Sequence, residues 1–545
     1  MKSVLAVAVV SVAAAAAVAV SLAQGSTDKS GGVFRIGTSQ GIDSLNPYVA
    51  FNQDAFAMFM NIYPYLVQYD QKALKFAPDF ATSWKASTDG KTWTFHTRTN
   101  ATWSDGQPLT AADAAWTINT TIKYSATGTG NSAGLVAHII RATAPNPTTL
   151  VVRYRQAPGN VLGQFQQFPM LPRHIWSGHT GHNGADVKTF ANRAPVVGAG
   201  PFVLTKFTKN EIALFERNDS YYGPTPKIDG FGLKMFANDD AMVSALKHGE
   251  LDAIESVPPT AIKTLESAGF DVRSIRGLYE TDFLNNSNPK KPKHRELLNL
   301  KVRDAFAHAI DRRKIASVVF LGHAEPASSF IPPASGDWHN PNLKPEQFDL
   351  ALANRILDKA GYPKGSDGIR AAGDHKMSYD VIGPTDVPSI PRTFQIIQSD
   401  FAKIGVKLTL KPLDSTAAFE AVGAPDYKYL KFDLAMWYWV ALIDPDFMLS
   451  VLTCAQYGGW SDTGYCNSTY DKMYSQQQLS PDPSRRRAIA WAMQKRQVTE
   501  RPYTMLVYTD QVDAVSKKWA GLAVTPQGPY NALSKQSLTE VHQTG

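Results

Sequence analysis

The chain has little cysteine, little excess charge of either sign, and none of the short signatures of catalysis. Of its 545 residues, only Cys454 and Cys466 are cysteine. They are too widely spaced for a C-x-x-C knuckle and have no histidine nearby, which argues against a zinc site. Lys and Arg number 55 against 48 Asp and Glu, a net charge of +7. That excess is scattered, and no recognition helix or RNA-binding motif accompanies it, so the pattern points to no nucleic-acid partner. No G-x-S-x-G and no H-E-x-x-H occurs, which removes the common serine-hydrolase and zinc-protease signatures. The GAGP at 198–201 is not followed by G-K-[ST], so it is no phosphate loop. His179 and His182, in SGHTGHNG, sit in a Gly-rich loop rather than at metal spacing on a helix, and no metal site is expected. Internal repeats and low-complexity tracts are absent after residue 32.

What is present begins at the N-terminus. Lys2 precedes an apolar run from Val4 to Leu22, and Ser21-Leu22-Ala23 fits a small-x-small cleavage site. Residues 1–23 therefore read as an export signal. The run is long for that purpose, and an uncleaved membrane anchor is the alternative. No cysteine follows it to carry a lipid. On an exported chain, two cysteines within TCAQYGGWSDTGYC predict a disulfide between Cys454 and Cys466, worth about 3 kcal/mol through loop closure.

Further along, strand and helix patterns alternate, as mixed α/β lobes require. VFRIGT (33–38) alternates apolar and polar residues like a strand, and AFAMFMNIYPYLVQY (55–69) reads as a buried helix running into a strand. The stretch WSDGQPLTAADAAWTI (103–118) places Asp105 and Asp113 close together, which raises the question of a paired-carboxylate site. Ser104-Asp105-Gly106 has turn chemistry, however, and Thr110 with Asp113 forms a capping box, so both acids are assigned to structure. LKVRDAFAHAIDRRKIASVVFLG (300–322) predicts one amphipathic helix stopped by Gly322. The basic NPKKPKHRE (288–296) is read as a solvated loop, and Arg485-Arg486-Arg487 as part of an exposed helix face.

A family likeness rests on an ordered set of blocks. They are IDSLNPY; FAPDFATSWKASTDGKTWTFHTRTNATWSDGQPLTAADAAWTI; VGAGPFVL with ERNDSYYG; ALKHGELDAI; VRDAFAHAIDRRKI with GHAEPASSFIPP; FDLAMWYWVALIDPDFML; and the cysteine loop with STYDKM. In this set the chain resembles the extracellular solute-binding proteins of bacterial ABC importers, family 5, the peptide-and-nickel type. The resemblance implies an α/β, two-lobed, hinged periplasmic-binding-protein fold with an inserted third subdomain. Lobe I would comprise 26–52, 190–276 and 505–545, the inserted subdomain 53–189, and lobe II 277–504. Hinges are implied near Ser274–Gly277 and Leu506–Tyr508. The implied protein is a monomer that captures a small peptide or similar polar solute between its lobes. It would deliver that solute to a membrane permease driven by a cytoplasmic ATPase, with no cofactor and no chemistry of its own. A non-peptide ligand such as an oligosaccharide, a ligand-sensing surface receptor, and an exported hydrolase are the rival readings.

Candidate ligand contacts follow from residue type and position. Trp437 and Trp439 alternate in MWYWVALIDPDF, so on a strand they share a face and offer an aromatic wall. In peptide-binding relatives an aspartate three residues before the Asp-Pro step pairs with the peptide amino terminus, and here that position is Ala441. Either another acid takes the amine or the ligand lacks one. Asp444, within the step itself, is expected to be structural. Gln40 and Asp43 follow the first strand, Asn285 and Asn286 follow a hinge crossing, and Trp338 lies in a Pro-rich loop placed to overhang the cleft.

Overall fold

The computed structural model describes residues 31–39, 41–70, 72–73, 75–440, 442–523 and 532–544. The expected signal at 1–23 and the candidate contacts Gln40 and Ala441 lie outside the described residues.

The frame is one eleven-stranded mixed sheet. Its main strands are β1 (Val33–Thr38), β2 (Phe202–Thr208), β3 (Ile212–Arg217), β4 (Gly230–Met235), β5 (Ala253–Ile254), β6 (Asp271–Asn285), β7 (Ser378–Pro384), β8 (Lys407–Leu413), β9 (Leu434–Val440) and β10 (Tyr503–Val515). They run in the order β8-β7-β9-β6-β10-β5-β1-β4-β3-β2, with Ala324–Pro326 pairing to β10 off that path. β6 and β10 are the longest, at 15 and 13 residues, and pair antiparallel along most of their length. Their far ends serve different cores. Ala514 and Val512 pack with Leu246, Leu251 and Leu265, whereas Phe283 and Val507 pack with Phe306, Tyr379 and Phe401. The register between them shifts twice, between Ile275 and Tyr279 and between Glu280 and Asp282. A separate four-stranded antiparallel sheet, built from Ala81–Ala86, Thr92–Thr97, Thr149–Tyr154 and Ile139–Asn146, stands beside the β1 half.

Local chemistry explains the turns and helix ends. The first strand pair of the small sheet closes at Asp89-Gly90, with Gly90 at φ 67°. Gly106 turns at φ 85°, where a side chain would strain the backbone. The helix Ala111–Lys123 begins with the capping box: the Thr110 hydroxyl accepts from Ala112 N, and the Asp113 carboxylate accepts from Thr110 N at 2.9 Å. Asp105 accepts from Gln107 N and pairs with His174. The two acids do separate structural work. His179 stacks on Phe190 with ring centroids 3.8 Å apart, and His182 is exposed.

Three expectations need correction. The helix expected over 300–322 stops at His308 and resumes only at Arg312. The buried Arg312 guanidinium donates to the carbonyls of Ala307 and Ile310, and Asp311 accepts from Lys314 N, so side chains take over the backbone groups a continuous helix would use. The basic stretch 288–296 is not simply solvated. Lys291 is buried, and its ammonium donates to Phe432 O and the Asp433 carboxylate. Finally, Arg486 is buried rather than exposed, because its guanidinium is held by the buried Asp444 carboxylate.

Candidate ligand-binding cleft

The β6–β9 register sets the cleft. Glu280 stands opposite Trp439, Asp282 opposite Trp437 and Leu284 opposite Ala435. Cross-strand partners point to the same side, so these six side chains share one face of the sheet. Tyr279, Thr281, Tyr438 and Val440 occupy the other. The strand alternation read from the sequence thus puts Trp437 and Trp439 together, and both border a cavity of about 1520 Å³, part of it open to solvent.

That cavity lies between the β1 side and the β7–β9 side of the molecule. The helix Gln53–Ile62 and the loop before it bring Phe51, Asn52, Gln53, Phe56 and Met60. Facing them are Ala418, Phe419 and Val422 from the helix Ser415–Gly423, then Phe447, Trp460 and Asp462. Asn131, Ser132 and Leu135 close one end. Contacts run straight across. The Phe51 and Phe419 rings stack at 5.8 Å, Phe56 meets Trp460 at 6.3 Å, and the Trp460 indole N–H donates to Asn131 O at 3.1 Å. The wall is chiefly aromatic and aliphatic. Asp462 is the one charged residue lining it among the described residues.

A second hollow of about 1540 Å³, much of it open to solvent, adjoins across Tyr438, which borders both. It collects residues just beyond strand ends, among them Ser39 after β1, Ser256 after β5 and Asp386 after β7. Carboxyl ends of parallel strands are where open α/β sheets present ligand-binding groups. Here they add Asp239, Asp240, Asp386 and Asp510 against Arg392 and His323.

The other candidate contacts sit elsewhere. The Asp43 carboxylate accepts from Phe51 N at 2.9 Å and Asn52 N at 3.0 Å, so it shapes the loop that carries two cavity residues without lining the cavity itself. Burial raises its pKa above the usual carboxylate range, and those two N–H groups oppose the shift. Asn285 and Asn286 are fully buried away from the cavity. The Asn285 amide donates to Arg501 O and Thr504 Oγ1, and the Asn286 amide to Tyr429 O and Phe432 O, because buried backbone at the end of β6 and around it must satisfy its carbonyls. Trp338 does not overhang the cleft. Its ring lies 4.8 Å from the Arg486 guanidinium. That guanidinium in turn pairs with both oxygens of Asp444, at 2.5 and 2.6 Å. Asp444 is thus a buried brace beside Pro445, and it draws Arg486 out of solvent.

Sequence reasoning missed Asp462 and Trp460. Both lie between Cys454 and Cys466, which are joined by a disulfide. The clasped loop lays Trp460 against Phe447 and Trp439, at 5.1 and 6.2 Å. Glu280 and Asp282 were also missed. They are fully buried on β6, behind the two tryptophans. Burial pushes both pKa values well up; the neighbouring Asp282 charge adds to the rise at Glu280, and the Asp462 charge adds to the rise at both.

Residues 75–460 match the bacterial extracellular solute-binding proteins, family 5 Middle. The chain belongs to that family. Protein XP55 of Streptomyces lividans is 27% identical over 514 residues, covering 94% of this chain and 90% of that protein. A probable ABC transporter-binding protein of Deinococcus radiodurans is 24% identical over 555 residues, covering 94% of this chain and 91% of that protein. Among solved structures, the oligopeptide-binding protein AppA of Bacillus subtilis, in complex with a nonapeptide, superposes with a TM-score of 0.85 at 20% identity, covering 95% of this chain and 100% of that chain. The two-lobed family 5 fold expected from the sequence is the fold present. No helix among the described residues is long and apolar enough to cross a membrane.

Proposed function

We propose that this family 5 protein is the extracytoplasmic substrate-binding component of an ABC importer, that it closes around one small solute and that it releases the solute unchanged to a permease. The observation that carries this reading is the partly open cavity between two halves of the sheet, walled by Trp437, Trp439, Phe51 and Trp460. An aromatic enclosure of this kind binds by stacking and desolvation. Among the described residues it holds no nucleophile–base pair of the sort acyl transfer needs: its one lining acid, Asp462, is bonded to the Tyr503 hydroxyl, and Glu280 and Asp282 are buried behind the wall. Closure about β6 and β10, near Ser274–Gly277 and Leu506–Tyr508, would move lobe I (26–52, 190–276 and 505–545) with its insertion (53–189) against lobe II (277–504). Such closure is favoured only by contacts better made in the closed form. The Deinococcus relative's description supports the transport role, and the AppA complex supports a peptide as one solute class.

Native mass spectrometry of the purified protein tests this reading, backed by thermal-shift screening. The expected result is a small molecule that leaves on denaturation and whose re-addition at a hundred times its Kd adds about 2.7 kcal/mol of stability. Conversion of that molecule to a product would overturn the reading, as would a protein indifferent to it.

A further inference from the structure

The apolar cavity has one acidic lining residue, and no cation among the described residues pairs with it. Asp462 is 5% exposed and lines the wall. Its Oδ1 accepts from the Tyr503 hydroxyl at 2.5 Å, and its Oδ2 has no hydrogen-bond partner. The Trp439 indole N–H, on a residue 8% exposed that also lines the wall, faces this carboxylate and opposes the rise that burial gives its pKa. Behind this wall, Glu280 and Asp282 are fully buried, and the charged groups acting on them are each other and Asp462. From every element packed here the neighbours are acidic, phenolic or apolar: Glu280 and Asp282 from β6, Trp439 from β9, Tyr503 from β10, and Tyr429. A buried carboxylate without a cation is costly, and its two escapes are to keep a proton or to receive a cation. Around it stand Trp439, Trp460 and Phe447, whose ring faces attract cations. The adjoining hollow adds four aspartates against Arg392 and His323.

Building on the reading of this cavity as the solute site, we propose that the solute is a cation on an apolar body, an ammonium or similar monocation carried by an aromatic or branched aliphatic group, with its charge seated on Asp462 beside Trp439 and Trp460. The apolar body fills the space between Phe51, Phe56, Phe419 and Trp437. An anionic solute finds no cation in the wall and meets Asp462. Burial raises the Asp462 pKa to about 7, so near neutral pH the empty site holds part of a proton. A bound cation expels that proton.

Isothermal titration with 2-phenylethylamine, 2-phenylethanol and 3-phenylpropionate holds the apolar body fixed and varies the charge. The amine binds at least about tenfold more tightly than the alcohol and the acid. Asp462→Asn weakens the amine by a similar factor and spares the alcohol. At pH 7 the amine's binding enthalpy differs between buffers of unequal ionisation heat, and the difference fades above pH 8.5. An apolar tripeptide with free and acetylated amino termini separates the two sources of such a cation. Tighter binding of the free-amine peptide assigns the charge to a peptide terminus, and binding of the simple amine alone assigns it to a non-peptide amine. Equal affinity of amine, alcohol and acid overturns the proposal, as does an unaltered amine affinity in Asp462→Asn or no binding of any amine. Ser132→Trp, a filling change at the cavity's end, separates this failure from a failure of the site itself. If that variant abolishes binding of a neutral or anionic solute, the cavity stands and the charge assignment falls. If amine binding persists unchanged in it, the cavity is not the site.

Discussion

Arg486 is the middle one of three consecutive arginines, yet it behaves unlike its neighbours. Its guanidinium is buried, forked onto Asp444 and covered by the Trp338 ring. Asp444 and Asp446 raise its pKa against the desolvation that would lower it. Removing one partner from such a pair leaves a buried charge unmatched. Asp444→Ala is therefore expected to destabilise the protein by about 3–5 kcal/mol in chemical denaturation. The neighbouring Arg487 pairs with Asp337, whose side chain is 84% exposed. Surface pairs of this sort contribute little, so Asp337→Ala is expected to change stability by less than about 0.5 kcal/mol. From the sequence, the run of three arginines carried no sign of this split, because it depends on an aspartate 42 positions away. Trp437 and Trp439 were legible because strand alternation alone fixes their common side. Asn285, the last residue of β6, and Asn286 just after it turn away from the cavity, a direction that their backbone partners set and the sequence does not show.

At the scale of elements, the segment between the cysteines carries the most consequence. The disulfide Cys454–Cys466 closes it, and inside it Trp460 and Asp462 reach the cavity. The pairing was legible from the cysteine count and the expected export signal, whereas the side chains the loop presents were not, since two residues between cysteines show no periodicity. Replacing both cysteines by serine is expected to cost about 2–3 kcal/mol of stability through loop-closure entropy. Solute affinity, read by titration, should fall alongside, because Trp460 and Asp462 lose their fixed position. A second element joins the small sheet to the other side of the cleft. Gly159 N donates to Gln478 O at 2.7 Å, and His138 Nε2 lies 2.8 Å from Gln478 Oε1. A Cβ on Gly159 would stand 1.9 Å from Ser480 O, a backbone atom that cannot yield without moving its helix end. Gly159→Ala should therefore hold this seam apart. The expected outcome is a larger radius of gyration by X-ray scattering with solute present. A closed form made less favourable by about 1.4 kcal/mol would also weaken solute about tenfold.

At the scale of the whole molecule, the sheet passes through both halves on β6 and β10, and a second set of buried acids sits where they cross. Gln53, from the cavity wall, donates to the Tyr279 hydroxyl at 2.9 Å, and that hydroxyl donates to Gln511 Oε1 at 3.3 Å. The Gln511 amide donates to Glu255 and Asp513, both at 3.1 Å. Asp54 completes the group, accepting from the Thr38 hydroxyl at 2.9 Å. The strand and helix patterns were legible in this region, but three acids scattered over some 460 positions showed nothing of their convergence. Burial raises the Asp54 pKa to about 7 and the Asp513 pKa to about 6, and Glu255 rises as well, through burial and then the Asp513 and Asp54 charges. Above the ordinary aspartate value of 3.8, the unfolded chain has released protons that the folded chain still holds. Folded carboxyls that bind more protons than unfolded ones make stability fall as pH rises. Their contribution is complete below about pH 4 and is lost progressively up to about pH 7. The midpoint of thermal unfolding should therefore be higher at pH 5 than at pH 7.5. Asp54→Asn, which keeps the Thr38 bond and cannot ionise, should raise the midpoint at pH 7.5 and flatten this dependence. A midpoint that climbs from pH 5 to 7.5 in the parent protein would show these acids ionised in the fold, with a counter-charge supplied from elsewhere.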